Sequence, residues 1–384
     1  EISAQNFLEE FVLNKYQDID SVSQNLILHN AYLKQEGDNI NFYSLAGSEQ
    51  ADQILFFIPK PKMYEKGDNS IENYGLHFEI TEIDSSRYIL TKVIDQEGKD
   101  WLASSERTWP VVIDATISFG SEYVFSAAIT SSVSVTTLDA THFVVAYYSY
   151  GYGRVVIGTI SGSEVSYGAA YNFNSALIDS VSVTTLDATH FVVAYYDCGN
   201  AGCLYPVGTA RVGAVSGTEV SFGLEYNFEE IGVDYVSISA LDSTHFVVTY
   251  QNSENSYGTA KIGTVSDTVI SYGSRYLFTE ENVNNTSVSA LDSTHFVVAY
   301  AEFSGGGGIY YGKAKIGAVS GDAISYGLEY VFNSGSTNYI SICGLSSDNF
   351  MVAYSDVDNF YYGTAIIGAV SGDAISYGLE YVFN

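Results

Sequence analysis

Four histidines, His142, His190, His245 and His295, each stand three residues after an aspartate: Asp139, Asp187, Asp242 and Asp292. Imidazole and carboxylate at so regular a spacing could ligate a metal or move protons. The repetition argues for something plainer. The fifth copy of the motif, "LSSDNFMVAY" at 345–354, carries Asn349 in the histidine's place, so the unit forms without imidazole. A hydrogen bond across a turn accounts for both residue types, and the aspartates read as turn formers. No Ser/His/Asp or Cys/His set stands apart from this repeated background. No singular pair of carboxylates suggests a glycosidase. The expectation is no catalytic residue, no metal site among the histidines, and no enzyme.

The remaining candidates are cysteines and aromatic residues. Cys198 and Cys203 bracket "CGNAGC", a glycine-bearing loop between two strand-like runs. Their spacing suits a small hairpin disulfide, which implies an oxidising compartment. Zinc is disfavoured, because no second Cys/His pair lies nearby. Cys343 replaces the Thr136 and Thr184 of earlier copies and reads as a small, unreactive strand residue. The aromatics crowd into five segments that differ between copies: "SYGYG" (149–153), "DCGNAGCLYP" (197–206), "QNSENSYG" (251–258), "AEFSGGGGIYYG" (301–312) and "SDVDNFYYG" (355–363). They supply Tyr150, Tyr152, Tyr205, Tyr257, Tyr310, Tyr311, Phe360, Tyr361 and Tyr362. A flat apolar ring with a polar tip suits sugars and protein surfaces. Packing of a rim is the competing use of the same residues.

These segments are positioned by a repeat. "LDATHFVVAYY" occurs at 138–148 and again at 186–196, then returns as "LDSTHFVVTY" (241–250) and "LDSTHFVVAY" (291–300). The period is about 50 residues, which signals a repeat architecture. Each unit holds four strand-like segments. "VSVTTL" (133–138) alternates apolar and small polar residues, giving one apolar face. "HFVVAYY" (142–148) is apolar almost throughout, as in a strand covered on both faces. "GTAKIGTV" (258–265) is the third. "ISYGSRYLF" (270–278) is the fourth, and its central Gly273 marks a bulge or bend. Four short antiparallel strands per unit describe a β-propeller blade. Such a sheet, apolar on both faces, is stable only when stacked between neighbours.

The fold class expected is therefore all-β: a β-propeller of four-stranded blades at 117–384, five blades favoured, preceded by a smaller β-rich domain at 1–116. The fourth strand type occurs six times, beginning with "ISFGSEYVF" (117–125), while the others occur five times. That early copy could pair with the last blade and close the ring, but the chain also ends on the same strand type, "ISYGLEYVFN" (375–384). In the N-terminal region, Phe7, Leu8, Phe11 and Val12 predict a short amphipathic helix over 4–16. Strand-like runs follow, and Trp101 and Trp109 read as packing anchors. Within a blade, the loops joining strands two and three share a face with the links between blades. That face varies between copies and is where function is expected.

Composition narrows the partners. The chain carries 45 acidic against 15 basic residues, a formal charge of −30. That balance disfavours nucleic acid and anionic membrane surfaces as partners, and the expectation is no nucleic acid and no membrane insertion. The same charge invites cations, calcium among them. No apolar run approaches the roughly 18–20 residues of a membrane helix. The chain starts at Glu1 without Met, as after removal of a leader or trimming of an end.

Two resemblances are carried by motifs. The unit "SVSALDSTHFVVAY…YGKAKIGAVSG" resembles repeats of large bacterial secreted and surface proteins, although Tyr300 stands where those repeats often have Trp. "PKPKMYEKG" (59–67) and "WLASSERTWPVVIDATI" (101–117) resemble a segment ahead of the repeats in wall-associated and RHS-type bacterial proteins. Trp101, Leu102, Arg107, Pro110, Val111, Ile113, Asp114 and Thr116 match it, and Ala115 replaces the usual Pro. The resemblances imply an extracellular or cell-surface bacterial protein. In that setting the sequons at Asn284 and Asn285 are coincidental. The expected function is a non-catalytic binding or adhesion module that recognises a glycan or a surface protein. The alternative is a structural, self-assembling subunit of a surface layer or filament.

Overall fold

A computed structural model describes residues 11–13, 19–27, 31–36, 39–44, 54–58, 60–65, 68–84, 87–105, 111–114, 123–161, 164–199, 206–303 and 308–383. The chain divides into two compact units, residues 1–121 and 122–384, against an expected boundary at 116/117.

In the first unit the described strands form three antiparallel sheets. Phe11–Leu13, Val111–Asp114, Lys62–Glu65 and Asp68–Asn73 make one, in that order. Ser21–Ile27, Arg87–Ile94 and Leu76–Asp84 make the second, and Ala31–Glu36, Asn39–Ser44 and Ile54–Ile58 the third. The helix expected over 4–16 is corrected at its described residues. Phe11 and Val12 are in a strand, paired with Ile113 and Val112. Pairing with the β-branched strand Val111–Asp114 overrides a weak local helical pattern. Residues 4–10 and 14–16 lie outside the described residues. The unit's helix is Gln96–Ala103, where Asp95 caps the N-terminus by accepting from the Gly98 N–H at 3.0 Å. Leu102 and half-buried Trp101 pack against Met63, Leu76, Ile94, Val111 and Ile113. Trp109 lies outside the described residues.

The second unit is a β-propeller of four-stranded antiparallel blades, five of them among the described residues. Blade one runs Ser131–Thr137, His142–Ser149, Tyr152–Ser161, with an outer strand in two pieces, Glu164–Tyr167 and Tyr171–Asn174. Blade two repeats this as Ile178–Asp187, His190–Asp197, Val207–Ser216, Glu219–Phe222 and Tyr226–Glu229. In blades three and four the second outer piece runs on into the next blade's inner strand, as Tyr276–Ala290 and Tyr330–Ser346. Blade three otherwise holds Val233–Ala240, His245–Asn252, Tyr257–Ser266 and Val269–Tyr272. Blade four holds His295–Phe303, Tyr310–Ser320 and Ala323–Tyr326, and blade five Asn349–Asp356, Tyr362–Ser371 and Ala374–Val382.

The outer strand breaks where the repeated glycine predicts. An added Cβ at Gly273 would lie 2.6 Å from Asp322 Cβ, on the next blade's turn, and Gly168, Gly223 and Gly327 meet Thr218, Thr268 and Asp373 in the same way. Only a residue without a side chain lets successive blades approach so closely.

Two-sided packing explains the second strand. Val144 and Ala146 of blade one face Phe191, Val193 and Tyr195 of blade two. Val192 and Ala194 of blade two then face Phe246, Val248 and Tyr250 of blade three. The same alternation joins blades three to four and four to five. At each junction a phenylalanine ending one blade stacks on a second-strand tyrosine of the next: Phe173 on Tyr195, Phe228 on Tyr250, Phe278 on Tyr300 and Phe332 on Tyr354, with centroids 4.9–5.2 Å apart.

The small polar residues of the inner strands also have a purpose. Ser134 Oγ accepts from Val183 N–H, Ser182 Oγ from Ile238, Ser237 Oγ from Val288 and Ser287 Oγ from Ile342, all at 3.1–3.2 Å. Thr184, Ser239 and Ser289 do the same for Ala240, Ala290 and Gly344. Inner strands of successive blades diverge from a common axis and cannot form a backbone ladder. Hydroxyls bridge them instead and satisfy part-buried amides that the ladder leaves free.

Among the described residues, the early copy of the outer-strand motif does not pair with blade five. The outer position of blade five is held by the chain's own Ala374–Val382, paired with Tyr362–Ser371. Of the early copy, 117–122 lies outside the described residues. Its Phe125 packs edge-on against Tyr147 of blade one with centroids 5.1 Å apart, in the place of the last phenylalanine of a preceding blade.

Candidate functional site

The histidines and aspartates are turn clamps. Asp139 Oδ1 accepts from the backbone N–H of Thr141 (2.7 Å) and His142 (2.8 Å), and His142 Nδ1 lies 2.9 Å from Oδ2. The Thr141 backbone N–H holds the Asp139 carboxyl down at about 2, partial burial opposes it, and His142 and the Thr141 hydroxyl add to the lowering. An ionised carboxylate only accepts, so the imidazole Nδ1 carries the proton it donates. Asp187, Asp242 and Asp292 repeat the clamp; burial pushes their carboxyls up, and the bonds from threonine and histidine outweigh it. In blade five Asn349 Nδ2 donates to Ser346 Oγ at 3.2 Å instead. Among the described residues no group of three or more His, Cys, Asp or Glu is placed to hold a metal.

Tyrosine–carboxylate pairs also repeat. Tyr195 donates to Glu225 (3.3 Å), Tyr300 to Glu329 (2.8 Å) and Tyr354 to Glu380 (2.8 Å). Blade three reverses the scheme: Arg275 occupies the glutamate's place, and Tyr250 donates to Glu229 of blade two at 2.8 Å. Arg275 pairs with the same Glu229 at 2.7 Å. Shallow grooves of about 530 and 380 Å³ repeat along the outer rim, beside Tyr276 and Asp322 and beside Tyr171 and Glu219. Features that recur from blade to blade in this way belong to the scaffold.

The opposite face carries what differs. In blade one Ser149 pairs with Tyr152 across the two-residue turn Tyr150–Gly151, whose φ values are 48° and 85°. Tyr150 is exposed, and Tyr152 lies under the Arg154 guanidinium, 5.2 Å from ring centre to Cζ. Tyr257, Tyr310 and Tyr311 are half-buried, and Tyr310 packs on Phe303 with centroids 5.4 Å apart. Those three serve rim packing in part. Tyr205 and Cys203 lie outside the described residues, and Cys198 is disulfide-bonded.

Blade five departs furthest from rim packing. A 3₁₀ turn, Val357–Asn359, leads into Phe360 and Tyr361, both in the left-handed region at φ 56° and 63°. Phe360 is 80% exposed, Tyr361 64% and Tyr362 43%. The loop is anchored at Asp358, whose Oδ2 accepts from the Ser336 N–H at 3.1 Å. Phe360 packs on Tyr362 with ring centroids 5.9 Å apart, and the left-handed backbone costs Phe360 and Tyr361 on the order of 1 kcal/mol each in strain.

A second ring of residues on this face escapes sequence reasoning. Every inner strand begins with a bulge, and one residue in each takes positive φ: Ser132 (48°), Ser180 (50°), Tyr235 (53°), Asn285 (51°) and Tyr339 (52°). Tyr339, 79% exposed, belongs to blade five, as does the Phe360 loop. The only signal is a variable dipeptide ahead of each V/I/T-S-V/I run, which nothing marks as a bulge.

No protein-family model and no curated relative matches the chain. Solved structures similar to it include a protein of unknown function from Desulfotomaculum acetoxidans (11% identity, TM-score 0.46, covering 94% of this chain and 80% of that one). An endo-arabinase from Bacteroides thetaiotaomicron shares 9% identity at TM-score 0.39, over 67% of this chain and 95% of that one. A Hadza microbial sialidase shares 10% identity at TM-score 0.42, over 99% and 87%. The assignment of the blades rests on the strands and junctions described above.

Proposed function

We propose that the protein is a non-catalytic extracellular binding module that recognises a glycan or a surface protein through the variable-loop face of the propeller, with blade five as its centre. The exposed, strained and anchored aromatic tip Phe360–Tyr361–Tyr362 carries this reading. Its exposed rings Phe360 and Tyr362 pack on each other, and a preformed aromatic surface binds with little ordering cost. Tyr339, Tyr150 and Tyr152 extend the aromatic surface on the same face. The clamps and Tyr–Glu pairs support a scaffold role for the titratable groups, since each recurs from blade to blade. The disulfide at Cys198 and the two motif resemblances support an extracellular or wall-associated setting.

Binding of the full chain to a glycan array and to bacterial and host cell surfaces tests this. The expected result is a discrete set of ligands whose binding falls at least tenfold in the Phe360→Ala/Tyr361→Ala variant, the loss of one buried aromatic contact being worth roughly 1.5–3 kcal/mol. Binding that is equal in the variant removes blade five from the site. The absence of any ligand favours the structural-subunit reading.

A further inference from the structure

Residues 122–384 hold 25 acidic but only six basic side chains, Arg154, Arg211, Lys261, Arg275, Lys313 and Lys315. Five of the six are held in the body of the blades. Arg211, Lys261 and Lys315 donate to the Phe173, Phe228 and Phe278 carbonyls of the preceding blade. The ion pairs of these bases go to Glu225, Glu229, Glu302 and Glu329. The sixth, Arg154, lies on the Tyr152 ring. The variable-loop face is left with acids and no cations to match them. Asp179, Glu230, Asp234, Glu254, Glu280 and Glu281 are exposed on the links and loops of blades two to four. Among the described residues none of the six is ion-paired. Partial burial, and more weakly the Asp179 charge, push the Asp234 carboxyl up, against a hydrogen bond from Ser253 at 3.3 Å. Exposed rings share the face: Tyr235, Tyr339 and the Phe360–Tyr361 tip.

We infer that the partner of this face is a protein surface rich in arginine and lysine, whose side chains pair with the link carboxylates and lie over the exposed rings. The inference rests on the binding role proposed above and narrows it. Arg154 over Tyr152, 5.2 Å from the ring centre, is the chain's own example of a guanidinium held by a tyrosine of this face. The acids are spread over three blades, and the grooves of about 530 and 380 Å³ lie on the outer rim instead. Sugars are held in concavities, whereas a broad face with tyrosines and scattered charge suits a protein surface. A cation placed between Asp179 and Asp234 relieves their mutual repulsion. A partner of the opposite sign is repelled, so charge both selects the partner and speeds the encounter.

Binding of the full chain to synthetic peptides rich in arginine and lysine, to glutamate-rich counterparts and to chitosan, a cationic glycan, tests this at low and high salt. The basic peptides should bind, with affinity falling roughly tenfold or more at high salt. Asp179→Asn/Asp234→Asn/Glu254→Gln should bind them at least about tenfold more weakly. Glu164→Gln/Glu219→Gln/Asp267→Asn removes as many charges from the turns on the opposite face and should bind as the parent does. Glu280→Gln/Glu281→Gln, at exposed positions, should weaken binding too, and it carries the test if Asp234→Asn lowers the melting temperature. An equal loss in both triple variants, as from net charge alone, would overturn the inference. Chitosan bound without the peptides would also overturn it, making the partner a cationic glycan. Neutral or acidic ligands that depend on Phe360 and Tyr361, with the peptides unbound, would overturn it and leave the binding role of blade five standing. No binding to any probe or array ligand would end both.

Discussion

Glycine on the third strand lies beneath an aromatic ring in every blade. Gly263 is directly opposite Phe246, and a Cβ there would fall 2.1 Å from the ring's Cζ. Gly263→Ala should therefore cost about 1–3 kcal/mol by overpacking, read as a fall in the denaturation midpoint. The aspartate clamps make a second residue-scale prediction. The folded Asp139 carboxyl, at about 2, sits below its usual 3.8, so its stabilising contribution is complete above about pH 4 and is lost as pH falls toward 2. Urea titrations at pH 7 and pH 3 should show a shallower acid loss in Asp139→Asn than in the parent chain. The clamp was legible in the sequence, because Asp-x-Thr-His carries its own local hydrogen-bond chemistry. The glycine was not, because nothing beside Gly263 names the ring above it. The Phe360–Tyr361 segment was legible as variable and aromatic. Its backbone strain and its anchor at Asp358 depend on Ser336, a residue of the adjoining link, and were not.

At the scale of elements, the inner strand was legible as half apolar and half small-polar, but its polar half was open to misreading as solvent-facing. Its hydroxyls instead tie one blade to the next. Ser237→Ala leaves the Val288 N–H without its acceptor and should cost about 0.5–1.5 kcal/mol. The reversed charge in blade three makes a sharper case. Glu229 is 4% exposed and is satisfied by Tyr250 and Arg275 together. Arg275→Glu sets two carboxylates against each other and should destabilise by more than about 2 kcal/mol at pH 7, measured by chemical denaturation. The first unit shows where pattern reading fails. The 4–16 run has an apolar periodicity, but Phe11–Leu13 pairs with Val111–Asp114, a partner about a hundred residues away that no local pattern reveals. The helix Gln96–Ala103 is short, contains Gly98 and has one buried large apolar residue, Leu102, so its periodicity is faint.

At the scale of the whole molecule, the 50-residue period and the two-sided second strand made the propeller legible before any coordinate. The positive-φ bulge that opens each inner strand was not, because only a variable dipeptide precedes otherwise near-identical repeats. The same identity separates scaffold from function: what recurs in each blade holds the sheets together, and the loops that differ are free to bind. Replacing the blade-five loop 357–361 by the two-residue turn Tyr150–Gly151 of blade one tests that separation most directly. Thermal unfolding and binding to the ligands found on the array would be measured on the same preparation. The account predicts an unchanged melting temperature with binding lost. A protein that unfolds with the exchange, or one that binds as before, would contradict it.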